Sequence, residues 1–231
     1  MRISVTLPSL HPRALDRSLR NVLGASRGDL EVAVVSPMRP PVIDPRVRWV
    51  RECDPRGPNA AHALAFAEVT GDLVLGWVDD HLLLDGWDEI VKREFLARES
   101  NNTLLYGLRQ FDPFSRVGTV FGLYYPYFPC MRASAARAIG WFDGAYKRGF
   151  ADCDLAMRVL DAGGVAEWSD VPLVIRHEDD ERKGDAVSCA EGDMELFLER
   201  WKLKYGHGWR TDTLRDFNRD VKLRKFGEAA E

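Results

Sequence analysis

The chain has 231 residues, 45% hydrophobic and 29% charged, with a formal net charge of −4 and an isoelectric point near 5.8. Such a chain can bury a large core, and its acidic balance excludes bulk nucleic-acid binding, which needs a basic domain. Four scattered cysteines, Cys53, Cys130, Cys153 and Cys189, form no CxxC pair, so free thiols in a reducing cytosol are expected rather than a zinc site or disulfide framework. The first residues hold too short an apolar stretch for a signal peptide, and no run approaches the roughly 18 apolar residues of a membrane span.

In chain order, ISVTL (3–7) reads as a buried strand broken by PSLHP, and Pro12 suits the first turn of a helix. Leu15, Leu19, Val22 and Leu23 then fall on one helical face, with Gly24 as the stop. EVAVV (31–35) is a second strand, closed by the loop SPMRPPVIDP, and VRWV (47–50) is a short third. PNAAHALAFAEVTG (58–71) is predicted as a helix opened by Pro58 and stopped by Gly71. LVLGWV (73–78) is the next strand, and DEIVKREFLARE (88–99) a helix with acidic residues in its first turn, as the helix dipole prefers.

The second half is less regular. LLYGLRQF (104–111) is a candidate strand, VFGLYYPYFPCM (120–131) is dense in aromatics, and ASAARAIG (133–140) is a short helix. DCDLAMRVLDAGG (152–164) is a helix with a glycine stop, followed by extended VAEW (165–168) and VPLVIRHE (171–178). HEDDERKGDAVS is a charged loop. MELFLERWKLKY (194–205) puts Met194, Phe197, Leu198, Trp201 and Tyr205 on one helical face, and TLRDFNRDVKLRKF is a weaker basic helix. Nearly continuous apolar strands alternating with helices predict an α/β fold: a mainly parallel, Rossmann-related sheet covered on both faces. No repeat or linker divides the chain, so one domain is expected over residues 1–231.

In LVLGWVDDHLLLDGW (73–87), Asp79 and Asp80 stand side by side at the end of a buried strand. Adjacent carboxylates repel and lose hydration there, so a metal, a ligand or catalysis would offset the cost. Ligands bind beyond the carboxyl ends of strands in such sheets, which favours that reading over a turn or cap pair. His81 would point to the other face if the strand continued, and is expected to be a bystander.

Five motifs occur in order: PSLHPR (8–13), GDLVLGWVDDHLLLDGW (71–87), GWFDGAY (140–146), ADCDLAMR (151–158) and His177 after a strand. Together they resemble a family 2 glycosyltransferase of GT-A fold, over roughly residues 3–180. The resemblance implies a nucleotide-binding half over about 1–100, an acceptor half over about 101–180 and a helical extension over 181–231. It implies transfer of a sugar from a nucleotide-diphosphate donor, a UDP-sugar first among them, to a sugar or other hydroxyl acceptor with inversion. Asp80 would hold Mn²⁺ or Mg²⁺ with His177 as a further ligand, and imidazole favours the softer manganese. Pro8, Ser9, Ser36 and Asp79 would bind the nucleotide. Asp152 would be the general base, with Asp154 as its competitor; capping of the helix at 153–162 is the plain alternative for Asp152.

Arg182 and Lys183 could close over the diphosphate or simply face solvent. Trp141, Tyr127 and Asp154 are acceptor candidates, and YYPYFP (124–129) serves equally well as core or interface packing. The chain departs from the family pattern at Ser36 and Pro37 (usually an aspartate), at His62–Ala63 (usually arginine–asparagine) and at Ala151 (usually glutamate). A non-catalytic nucleotide- or glycan-binding domain of the same fold would look like this. A sugar nucleotidyltransferase is disfavoured, because PSLHPR has no glycine to cradle a triphosphate. A cytoplasmic location follows, with contact between the basic Arg215, Arg219, Lys222, Arg224 and Lys225 and the inner membrane face as an alternative to a solvated helix. The sequence leaves monomer and homo-oligomer both open.

Overall fold

The computed structural model describes residues 1–100, 103–111, 118–177, 191–207 and 215–216. β1 (Ile3–Pro8), β2 (Leu30–Ser36), β3 (Val47–Arg51) and β4 (Leu73–Gly76) are parallel and lie in the order β3-β2-β1-β4. α1 (Pro12–Ala25) joins β1 to β2, and α2 (Pro58–Ala67) joins β3 to β4. The same sheet continues through β9 (Pro129–Arg132), β6 (Leu104–Phe111), β10 (Val165–Arg176) and β5 (His81–Leu83). β9 is antiparallel to both neighbours, β10 runs parallel to β6, and β5 is antiparallel to β10. The sheet is therefore mostly parallel, and the chain is α/β as predicted.

Helices cover both faces, because side chains alternate along the strands. In β2, Val32 and Val34 join Leu15, Leu19 and Val22 of α1 and Val91 and Phe95 of α3 (Trp87–Arg98) in one core. Ala33 and Val35 face the other core, with Ala65 of α2, Ala136 of α4 (Ala133–Ile139), Val159 of α5 (Ala151–Asp161) and Phe197 of α6 (Glu191–Tyr205). Each fully buried Leu, Val or Phe contributes about 1.5–3 kcal/mol. Among the described residues no helix is long and apolar enough to cross a membrane.

Several boundaries differ from the prediction. α2 stops at Ala67 instead of near Gly71, because the Glu31 carboxylate accepts the Thr70 hydroxyl and the Thr70 and Gly71 N–H groups, drawing the chain back to the sheet. The segments at 165–168 and 171–178 form one strand, with its register shifted around Pro172, which cannot donate to a ladder. Arg215–Asp216 is not helical. It forms β11, paired with β7 (Thr119–Val120) beside β8 (Leu123–Tyr124) in a small second sheet, so an open strand edge overrides local helix preference. Arg219, Lys222, Arg224 and Lys225 lie outside the described residues, as do Arg182, Lys183 and Cys189.

Candidate functional site

The carboxyl ends of β1, β2 and β4 meet along one edge of the sheet. Pro8 pairs with Val35, the Ser9 N–H donates to the Val35 carbonyl at 3.0 Å, and Ser36 ends β2 fully buried. β4 ends at Gly76, and the Trp77 N–H still reaches the Thr6 carbonyl at 3.0 Å. Asp79 and Asp80 then form the turn between β4 and β5. Asp79 is only 5% exposed, and the Ser9 hydroxyl donates to its Oδ2 at 2.6 Å. One carboxylate of the pair is thus held by the predicted nucleotide loop.

Asp80 is held from the other side. His177, one residue past β10, donates its backbone N–H to the Asp80 carbonyl at 2.9 Å. The antiparallel register of β10 and β5, with Arg176 opposite His81, places His177 opposite Asp80. Two candidate ligands 97 positions apart in the chain therefore stand side by side (177 against 80). His81 is no bystander. The chain turns instead of continuing the strand, and its Nδ1 lies 2.7 Å from Asp80 Oδ1. The His81 ring is set by Phe128 at 4.9 Å and Trp77 at 6.4 Å. The sequence signal was present, a histidine directly after two aspartates, but the turn that makes it matter was not.

Among the described residues no three His, Cys, Asp or Glu groups converge closely enough to hold a metal ion alone. Mg²⁺-type sites use one or two carboxylates plus phosphate oxygens, and the Asp79–Asp80 turn carries carboxylates of that kind, with His177 beside it through a backbone contact. The departure at His62 has a structural explanation. Its Nδ1 is 2.8 Å from the Thr6 hydroxyl, its ring stacks on Phe142 at 4.5 Å, and burial lowers its pKa to about 3. It is a neutral core residue linking β1, α2 and the loop before α5.

Asp152 lies in the first turn of α5, where its carboxylate accepts the Cys153 N–H at 3.0 Å. It is not the cap. Phe150 holds that position, with φ of 62°, a left-handed conformation costing about 1–3 kcal/mol for such a residue. Asp154 competes no longer. It is 0% exposed and its Oδ1 accepts from Tyr146 OH (3.1 Å), Trp201 Nε1 (2.9 Å) and Arg200 Nη1 (3.3 Å), while Arg158 Nε reaches Oδ2 at 2.7 Å. Arg158 also donates to the carbonyls of Ile139, Gly140 and Trp141. This is a structural knot: burial, reinforced by Asp154, pushes the Tyr146 hydroxyl pKa up. Burial works against the charge on Arg200, but Asp143, Tyr146 and Asp154 outweigh it and raise its pKa.

Trp141 is 4% exposed and packs on Phe66 and Phe142, so it is core, not an acceptor platform. Tyr127 is 44% exposed, next to the Phe128 that flanks His81. A cavity of about 420 Å³ opens at the opposite, amino end of β1–β3, lined by Arg2, Asp29, Glu31, Arg46, Arg48 and Glu68 among others. Its charged groups pair with one another or with neighbours, and it contains none of the predicted residues.

No protein-family model matches the chain, and no curated protein sequence is significantly similar to it. Solved structures do match. S. aureus TarS 1-349 superposes with a TM-score of 0.57 at 16% identity over 77% of this chain and 60% of that one. Its complex with UDP gives 0.58 at 15% identity, over 78% and 62%. Its complex with UDP-GlcNAc gives 0.62 at 14% identity, over 86% and 65%. TarS is a glycosyltransferase of GT-A-like fold. The fold of this chain is GT-A-like. Within that fold the Asp79–Asp80 turn, Ser9 and His177 share the carboxyl edge, where open α/β sheets bind ligands. The chain spans under two thirds of the length of the TarS chains it matches.

Proposed function

We propose that the chain is a metal-dependent glycosyltransferase that moves a sugar from a nucleoside-diphosphate donor to an acceptor hydroxyl with inversion. The observation that carries this reading is the meeting of Ser9, Asp79, Asp80 and His177 at the carboxyl edge of a GT-A-like sheet. A UDP-sugar is the first donor to test, because TarS of the same fold has been solved with UDP and with UDP-GlcNAc. Ser9 and Asp79 would bind the nucleotide, beside Pro8 and Ser36.

Asp80 and His177 would hold Mn²⁺ or Mg²⁺ together with the diphosphate. When bound, the ion neutralises charge on the departing diphosphate. His81 Nδ1, 2.7 Å from Asp80 Oδ1, orients that carboxylate. Asp152 takes the proton from the acceptor hydroxyl as that oxygen bonds to the anomeric carbon and the bond to the diphosphate breaks. The free thiols of Cys53 and Cys130 suit a cytoplasmic location.

Thermal unfolding against nucleoside diphosphates, with and without Mn²⁺ or Mg²⁺, tests this. A ligand at 100 times its dissociation constant adds about 2.7 kcal/mol, or roughly 5–10 °C for a chain of this size. We expect a metal-dependent shift with UDP that disappears in Asp80→Ala. No shift with any nucleoside diphosphate would overturn the reading. Binding without turnover of any nucleotide sugar would favour the non-catalytic alternative, to which the buried Ala151 in place of a glutamate already points.

A further inference from the structure

The loop before α5 has no regular structure of its own, and two elements distant in sequence hold it. On one side, the N-terminal turn of α2 supports it: Asn59 Nδ2 donates to the Tyr146 carbonyl at 2.9 Å. Gly57, at φ of 109°, leaves room for the Lys147 carbonyl, which a Cβ would approach to 2.3 Å. On the other side stands α6. Asp193, in its first turn and 3% exposed, accepts three consecutive backbone N–H groups: Lys147 (2.9 Å) on Oδ1, and Arg148 (2.8 Å) and Gly149 (2.9 Å) on Oδ2. A buried carboxylate filled by three backbone donors fixes the path of those peptides as firmly as a strand ladder would. The next residue is the left-handed Phe150, whose ring packs on Phe197 of α6 at 5.2 Å, and Asp152 follows two positions later.

We propose that Asp193 is a positioning residue for Asp152: by clamping residues 147–149 it sets where the base stands relative to the acceptor hydroxyl. The inference rests on the glycosyltransferase reading above and extends it to α6, an element that no site motif touches. Asp193 acts through the loop and touches no substrate.

The test compares Asp193→Ala and Asp193→Asn with Tyr205→Phe, which loosens the far end of α6 at Asp161 without touching the loop. Amide hydrogen exchange is read first, because it needs no activity. Asp193→Ala is expected to speed exchange at Lys147, Arg148 and Gly149 while β1 and β4 stay protected, with Asp193→Asn between it and wild type. The second reading is UDP release from UDP-GlcNAc, which water can drive without a known acceptor. A displaced base predicts a fall of about 10- to 100-fold in kcat with donor KM little changed. In an Asp152→Asn background, Asp193→Ala should cost nothing further, since residues acting as one unit are not additive.

Unchanged exchange at 147–149 would overturn the clamp itself. Losses that simply add to those of Asp152→Asn, or that match Tyr205→Phe, would overturn the positioning role. No turnover of any nucleotide sugar by wild type, with the exchange effect present, would sink the transferase reading and the positioning role with it, leaving the clamp a structural contact.

Discussion

Asp80 and Asp152 are placed by different means. In the first hundred residues, parallel strands do the placing: register fixes where β1, β2 and β4 end, and the Asp79–Asp80 turn follows from that. In the loop at 140–150 the backbone is irregular, and side chains do the placing. Asp154, Arg158, Arg200 and Asp193 tie the loop at 140–150 to α5 and α6 through charge-assisted hydrogen bonds. A strand ladder spreads its cost over many equivalent bonds, whereas a buried ionic knot concentrates it in a few. The first region should therefore tolerate single polar changes that the second does not.

Asp154→Ala is the strongest way to break that contrast. It leaves Arg158 and Arg200 partly buried without their shared carboxylate, and breaking such a pair costs about 3–5 kcal/mol. Urea unfolding should register that loss; a change below about 1 kcal/mol, the size of one ordinary hydrogen bond, would dissolve the distinction between the halves.

Gly57→Ala probes the seam where the two regions meet. A Cβ there collides with the Lys147 carbonyl at a φ of 109°, and such backbone strain costs about 1–3 kcal/mol. Exchange should rise on both sides of the seam, at Gly57, Asn59 and Ala60 and at residues 146–149. A rise confined to α2 would show that the loop does not lean on it.

A third effect, gradual and pH-dependent, comes from a buried ionisable group of the first region. Burial lowers the His62 pKa to about 3 from the usual 6.5. Because the folded value is depressed, its contribution is fully present above about pH 6.5 and is lost as pH falls toward 3. Between those values the unfolded chain binds one more proton, so stability should fall by up to about 1.4 kcal/mol per pH unit. His62→Gln should flatten that slope in pH-dependent denaturant titrations; an unchanged slope would assign the acid sensitivity to other groups.

Much of the first region was legible in the sequence. The apolar strands, the Pro12 and Pro58 helix starts and the aspartates after LVLGWV depend on local periodicity and turn chemistry, which a linear reading captures. The α2 terminus was misjudged because Glu31, some forty residues away, takes the backbone donors that would have continued the helix. In the second region, ADCDLAMR carries two aspartates of equal standing on paper. Only folding separates them, since a helix turns Asp154 into the core and leaves Asp152 in the outer first turn. Trp141 was drawn toward an acceptor role by its motif and is buried by its neighbours.

The sequence by itself determined the α/β class, the strand and helix order and the paired aspartates at a strand end, because those follow from local patterns of apolar and turn-forming residues. Tertiary structure decided what stands next to what. His177 opposite Asp80, Asp154 in a buried knot and Asp193 beneath the loop all arise from contacts between distant segments, and no local pattern encodes the partner at the far end of such a contact.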